Sequence, residues 1–417
     1  MATALVVGNM IGSGTFLLPS SLAPFGAASL LGWAVTVAGA LLLAGVYARL
    51  GRRYPRTGGP YTYSRLAFGE LAGFATAWLY WVSIWAGNAA IAVAFAGSLG
   101  GLVPALSDGP LSAAITALIA VWLCTAINLS GLRSAGWVQV VTTALKLAPL
   151  LLMAVLGAWW LDAGSFGNFN RSGEPPMSVA TATAALTLWA MLGLECATVP
   201  ADDVRDAERT VPRATLIGTA LAAGATVLAC TVVIGLVPAA RLADAGAPFA
   251  LAAGHLWGPA AGLAFAAAGA IACFGALNGW TLMQGQIPMA AARDGVLPAR
   301  LARCNANGTP AFAIVLSSCI TSVLVIANAS GSLVTLFTWA ILLSTASVLA
   351  PYVLNALALV KLEGARSRPM ALVGVLATLF GLWALVGTGP RSVLWGAVLL
   401  LAGLPIFAYM VRRRRDV

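Results

Sequence analysis

The chain carries 23 Lys and Arg and 13 Asp and Glu in 417 residues, and only two of them, Lys146 and Glu195, fall well inside an apolar run. A charge at bilayer depth is costly and must face a partner or a water-filled cavity, so each of the two marks a functional site by default. A lysine that meets water in only one conformation can take up and release a proton there, which would make Lys146 a coupling device. The competing readings are a Lys146 that snorkels to the interface and a purely structural pair.

Backbone chemistry is expected at two further places. The first apolar run contains Gly12-Ser13-Gly14 in its middle, three weak helix formers that invite unwinding. Unwound backbone is tolerated at membrane depth only where it lines a cavity, and its free N–H groups can then hold a carboxylate. A small-residue helix contact is the alternative. A dinucleotide fingerprint fails, because the third glycine and the βαβ context are missing. A comparable interruption, Trp189-Ala190-Met191-Leu192-Gly193-Leu194-Glu195, lies at a similar place in the second half. Ile84, Asn88 and Ile91 share one helix face with Tyr80 one turn earlier; Asn88 is read equally well as a ligand contact or as a helix–helix contact. Trp189 and Trp280 lie away from the interfacial belts where tryptophan collects, and a buried indole can stack on an ammonium or guanidinium head.

The elements that must position these residues follow from composition. Sixty per cent of the chain is hydrophobic and 9% charged, against roughly 25% charged in an average soluble domain. A soluble fold is excluded. A transmembrane β-barrel needs stretches of about ten residues with alternating polarity, whereas Leu111 to Leu129 and Trp257 to Ile271 are apolar on every face. The chain is therefore expected to be an all-α polytopic membrane protein with about twelve spans, near 2-24, 27-49, 71-99, 111-130, 136-161, 177-198, 214-236, 248-291, 310-328, 332-360, 369-388 and 392-411. The third, eighth and tenth exceed one crossing and should be tilted or extended. Two broken spans in corresponding positions point to inverted repeats, with 1-161 and 177-360 as the repeats and 369-411 appended.

With the N-terminus inside, 19 of the 23 Lys and Arg fall on the inner side and three, Arg171, Arg241 and Arg391, on the outer. Both termini are thus expected in the cytoplasm. The net charge of +10 reflects topology rather than nucleic-acid binding, and the run Arg412 to Arg415 is expected to meet anionic lipid head groups. No cleavable signal peptide is visible; Met1 lies almost inside the first span, which leaves room for a native cytoplasmic tail ahead of it. The six cysteines, Cys124, Cys196, Cys230, Cys273, Cys304 and Cys319, form no CxxC pair. They are expected to pack, without a disulfide framework or a zinc site. Enzyme chemistry lacks its parts: the one histidine, His255, has only Asp244 near it in sequence, and no metal or cofactor site is indicated. The loops are too short for the soluble output domain of a receptor, and a channel would need a polar-lined pore.

These residues resemble the amino acid–polyamine–organocation transporters, most closely the bacterial arginine/agmatine antiporters and their putrescine/ornithine and lysine/cadaverine relatives. The resemblance runs from Met1 to the last span. It rests on Gly8-Asn9-Met10-Ile11-Gly12-Ser13-Gly14-Thr15-Phe16-Leu17-Leu18-Pro19, Tyr54-Pro55-Arg56-Thr57-Gly58-Gly59-Pro60-Tyr61, Tyr80-Trp81 with Gly87-Asn88, Leu188-Trp189 with Gly193-Leu194-Glu195, and Gly279-Trp280-Thr281. It implies the five-plus-five inverted-repeat, LeuT-like fold with discontinuous helices 1 and 6 and alternating access. It further implies that Ser13 and Gly14, with Ile11 nearby, cradle the substrate α-carboxylate. Asn9, Asn88, Ile91, Trp189, Leu192, Trp280 and Ser344 would line the pocket, with Trp280 stacking on the substrate head. Tyr80 and Glu195 would form an inner gate, and Trp189, Phe337 and Tyr352 an outer one, with Glu195 placed to sense protonation.

The departures bear on substrate. Lys146 stands where the arginine/agmatine antiporters have a small apolar residue, and is similar instead to the fifth-span lysine of sodium-independent, proton-coupled permeases. Ile91 replaces a methionine, and Ser83 and Ile84 alter an Ala-Cys pair. The expectation is an inner-membrane, sodium-independent transporter that exchanges or proton-couples a cationic amino acid or its decarboxylated amine, with a homodimer implied by the resemblance. The alternative is a proton-coupled permease or exchanger for neutral amino acids.

Overall fold

In hydrocarbon every backbone N–H and C=O must be satisfied within the chain, and long apolar runs meet that demand as helices. The structure, a computed structural model, describes residues 1–161, 166, 169–327 and 333–415, with side chains at 333–336, 414 and 415 outside the description. The helices in order are α1 (Ala2–Met10), α2 (Ser13–Phe16), α3 (Leu18–Leu22), α4 (Ser29–Arg53), α5 (Pro60–Phe68), α6 (Glu70–Gly100), α7 (Pro110–Leu129), α8 (Leu132–Leu156), α9 (Pro176–Trp189), α10 (Ala207–Leu236), α11 (Ala239–Ala243), α12 (Pro248–Trp257), α13 (Pro259–Arg293), α14 (Ala311–Ala327), α15 (Leu333–Glu363), α16 (Arg368–Gly387) and α17 (Pro390–Arg415). Among the described residues nine helical stretches are long and apolar enough to cross a membrane, and Ala2–Phe16 and Ala311–Ala327 are shorter apolar ones. The chain is a polytopic all-α membrane protein.

Both interruptions are present. The first span stops at Met10, passes through an extended Ile11 (φ −86°, ψ 100°) and restarts at Ser13. The sixth leaves its helix at Trp189 and continues as turns that bond three residues back. Gly193 turns there at φ +104°, a conformation in which a side chain is strained. The expected run 248-291 needs correction: it is two helices, because Gly258 adopts φ +89° and Pro259 starts the next. A proline at the first helical position fits the start of a helix and cannot continue the one before it. The segment between the expected spans 27-49 and 71-99 holds the short helix α5. The span ends expected at 328 and 332, and the side chains of Arg414 and Arg415 in the basic run, lie outside the described residues.

Position in the bundle follows polarity. α6 lies at the centre and packs extensively on both α13 and α15, whereas α7, α8, α16 and α17 turn Leu111, Leu145, Leu379 and Leu401 outward, each at least half exposed. A lipid-facing surface has this character. At 31 residues α6 is about 46 Å long and exceeds a hydrocarbon core of about 30 Å, as its sequence length requires. Four cysteines are buried; Cys304 and Cys319 are exposed, contrary to the expectation that all six pack.

Candidate functional site

The last carbonyls of a helix have no intrahelical donor, and the dipole gathers negative charge there. Where α1 stops, Lys146 of α8 supplies the donor. Its Nζ donates to the carbonyl oxygens of Gly8 and Ile11, each at 2.6 Å, and to that of Ala272 in α13 at 3.5 Å. The side chain is fully buried, so the snorkelling reading fails. The ammonium occupies the position of a cation held by three carbonyl dipoles from two helices.

Beside this contact the two broken helices meet around a small cavity. Its wall includes Asn9, Ser13 and Gly14 from the first break, Trp189 and Leu192 from the second, and Ile91 and Trp280 from α6 and α13. Its volume is about 10 Å³, room for one water, so this conformation is closed to an amino acid. Two indoles fill the space: Trp189 Nε1 donates to Ser13 Oγ at 3.3 Å, and Trp280 Nε1 to the Asn9 carbonyl at 3.3 Å. Trp280 also meets the Tyr80 ring edge-on, with centroids 6.4 Å apart. Two glycines permit this closeness. A Cβ on Gly14 would lie 2.9 Å from Trp189, and one on Gly87 2.8 Å from its ring.

Three residues anticipated in the pocket stand outside its wall. Ile11 contributes its carbonyl to Lys146. Asn88 turns toward α13 and donates to Gln284 Oε1 at 2.7 Å, and Gln284 in turn donates to Ser318 at 2.9 Å, so in this closed conformation it makes a helix–helix contact. Ser344 donates to the Ser83 carbonyl at 2.7 Å and ties α15 to α6.

Behind Trp280, reached through Tyr80, lies Glu195, fully buried. One carboxylate oxygen accepts a very short hydrogen bond from the Tyr80 hydroxyl, and the other accepts one from Tyr352 at 2.6 Å. Tyr352, expected with Trp189 and Phe337 in an outer gate, therefore belongs with Tyr80 and Glu195. Phe337 precedes it on α15 by fifteen residues, about 22 Å of helix at 1.5 Å per residue, so the two cannot share a layer.

Sequence reasoning missed Gln139 and Cys196. Gln139 Nε2 donates to Asn9 Oδ1 at 3.1 Å, and Asn9 Nδ2 to Cys196 Sγ at 3.0 Å. A signal existed: Gln139, Thr142, Thr143 and Lys146 recur at the spacing of one helix face. Other charged side chains pair with one another near helix ends. Glu363 pairs with Arg49 and Arg366, and Arg65 with Asp294; Arg56, Arg65, Arg293, Asp202 and Asp294 line an open cavity of about 610 Å³. Among the described residues no three His, Cys, Asp or Glu side chains are grouped as a metal site would need.

Known proteins share this chain along its length. The amino acid permease family model matches residues 1–411. The cadaverine/lysine antiporter of Escherichia coli (strain K12) is 33% identical over 428 residues, which cover 99% of this chain and 95% of that protein. Putrescine transporter PotE of Haemophilus influenzae (strain ATCC 51907 / DSM 11121 / KW20 / Rd) is 29% identical over 415 residues, 98% of this chain and 95% of that protein. Putrescine transporter PotE of Escherichia coli (strain K12) is 29% identical over 418 residues, 99% and 95%.

Proposed function

This chain belongs to the amino acid permease family and is a membrane transporter rather than an enzyme, and from that premise we propose that it exchanges a cationic amino acid for its decarboxylated amine by alternating access. The observation that carries the reading is the aromatic cavity and what backs it: two indoles, Trp189 and Trp280, line the cavity, and Trp280 packs edge-on against Tyr80, which with Tyr352 holds the buried carboxylate Glu195. A cationic head gains from aromatic faces and from a nearby negative charge. The α-carboxylate is assigned to Ser13 and Gly14, the first residues of α2, whose N–H groups no intrahelical carbonyl reaches. Lysine/cadaverine is the leading pair, in line with the relative that bears that name.

Lys146 stands in for a sodium ion in this reading, since its ammonium sits on the carbonyls a metal would use. The helices from α1 to α8 and from α9 to α15 form the two inverted repeats, each opened by a broken helix. With α1 to α3 as one span and α9 as another, twelve spans put both termini on the cytoplasmic side of a bacterial inner membrane. The end rich in arginine supports that orientation.

Uptake of radiolabelled lysine into proteoliposomes loaded with nothing, lysine, cadaverine, putrescine or alanine tests the proposal. Uptake that needs an internal cationic substrate and no sodium is the expected result. Labelled lysine entering empty vesicles under an acid-outside gradient, or exchanging only against alanine, would overturn it in favour of a proton-coupled or neutral amino acid permease.

A further inference from the structure

A second cavity, of about 280 Å³, opens between α1, α8 and the segment after the sixth-span break, with Leu5, Leu132, Gly136, Val204 and Leu282 in its wall. Gln139 lines this cavity, and Asn9 lines the small one between the indoles. The two side chains bond to each other through Gln139 Nε2 and Asn9 Oδ1 at 3.1 Å. The Gln139–Asn9 amide pair thus lies between the two spaces.

The surroundings are shaped to admit it. A Cβ on Gly8 would collide with the Gln139 amide, and one on Gly279 with both Asn9 and Gln139. The wedge therefore requires glycine on α1 and on α13, one on either side. Gln139 is 2% exposed, and its Oε1 has no hydrogen-bond partner among the described residues. A buried carbonyl oxygen left unpaired is an acceptor waiting for a donor, and an ammonium group carries three.

We propose that the Gln139–Asn9 pair is a gate on the path between the substrate cavity and the second cavity, and that Gln139 Oε1 receives the substrate ammonium as it passes. The inference rests on the transport reading above. It makes Gln139 a gating residue in direct contact with substrate, distinct from the Tyr80–Glu195–Tyr352 layer, since it lies between different spaces and is held by different helices.

Cys196 reports on the partition, because its thiol accepts from Asn9 and is fully buried. In a background with the other five cysteines replaced, 2-(trimethylammonium)ethyl methanethiosulfonate is applied to purified protein, and modification of Cys196 is followed by mass. Gln139→Ala is expected to raise the modification rate at least tenfold. Gln139→Leu keeps the bulk without the polar atoms; it should leave Cys196 protected and slow release of bound radiolabelled lysine about tenfold. Equal modification of Gln139→Ala and the parent overturns the gate, as does a Gln139→Leu variant that releases lysine at the parental rate. If Gln139→Ala fails to fold, the Leu variant alone decides. Failure of the parent to bind any cationic amine would instead sink the transport reading, and thiol modification would still judge the partition.

Discussion

At the scale of single residues, Lys146 is the side chain whose removal has the clearest consequence. Without its ammonium the carbonyls of Gly8 and Ile11 lose their donor, and each unsatisfied buried group costs about 1–3 kcal/mol. Lys146→Ala is expected to lower the thermal unfolding temperature in detergent and to flatten the pH dependence of exchange; a wild-type pH profile in a folded variant would leave Lys146 a purely structural cap. In the proposed binding mode Trp280 offers its face to the substrate head, and Trp280→Ala should then weaken a cationic substrate by more than the roughly 0.5 kcal/mol of an exposed cation–π contact. Equilibrium binding of lysine measures this, and unchanged affinity would remove Trp280 from the pocket. Lys146 and Glu195 were legible in the sequence because a charge interrupts an apolar run. Gln139 was not, because a neutral amide leaves the run intact and only the spacing 139, 142, 143, 146 hints at a shared face. Tyr352 is grouped with Trp189 and Phe337 only through the resemblance, whereas its bond to Glu195 and its distance from Phe337 along α15 put it in another layer.

At the scale of elements, function depends on where helices stop. The break in α1 follows from Gly12-Ser13-Gly14, and that after α9 needs Gly193 at positive φ; both were readable because glycine within a span is a local signal. The division between α12 and α13 was readable in principle from Gly258-Pro259 but was masked by apolar residues on both sides. Close approach of the two breaks was not readable at all, since it depends on which side chains face each other. Gly14 makes it possible: a Cβ there lies 2.9 Å from both the Ala190 backbone and Trp189. Backbone cannot yield cheaply, so Gly14→Leu is expected to push the second break away and cut lysine binding at least tenfold while most of the bundle still forms. Undiminished binding would sink the assignment of the α-carboxylate to this turn.

For the whole molecule, the proposed alternating access makes the ties between helices at the arginine-rich end matter, because on that reading they must open. Two sets are available. Arg65–Asp294 joins α5 to the end of α13, but its side chains are 33% and 42% exposed, and a pair so open to solvent contributes about 0–1 kcal/mol and weakens with salt. Glu195 is buried and accepts from Tyr80 on α6 and Tyr352 on α15, and a hydrogen bond to a charged group contributes about 1.5–3 kcal/mol. Loss of one such bond moves a two-state equilibrium at least tenfold, since about 1.4 kcal/mol is a factor of ten. Glu195→Gln keeps the shape but replaces one acceptor oxygen with an amide donor, so one tyrosine must turn to accept and both charge-assisted bonds become weaker neutral ones. It is expected to shift the protein toward the form open at this end by tenfold or more, whereas Arg65→Ala should shift it less than about fivefold, and less again at high salt. Distances between spin labels on the outer ends of α5 and α15 would read both. A larger opening in Arg65→Ala than in Glu195→Gln would transfer the closing role from the buried layer to the surface pair, and would require Glu195 to act on substrate alone.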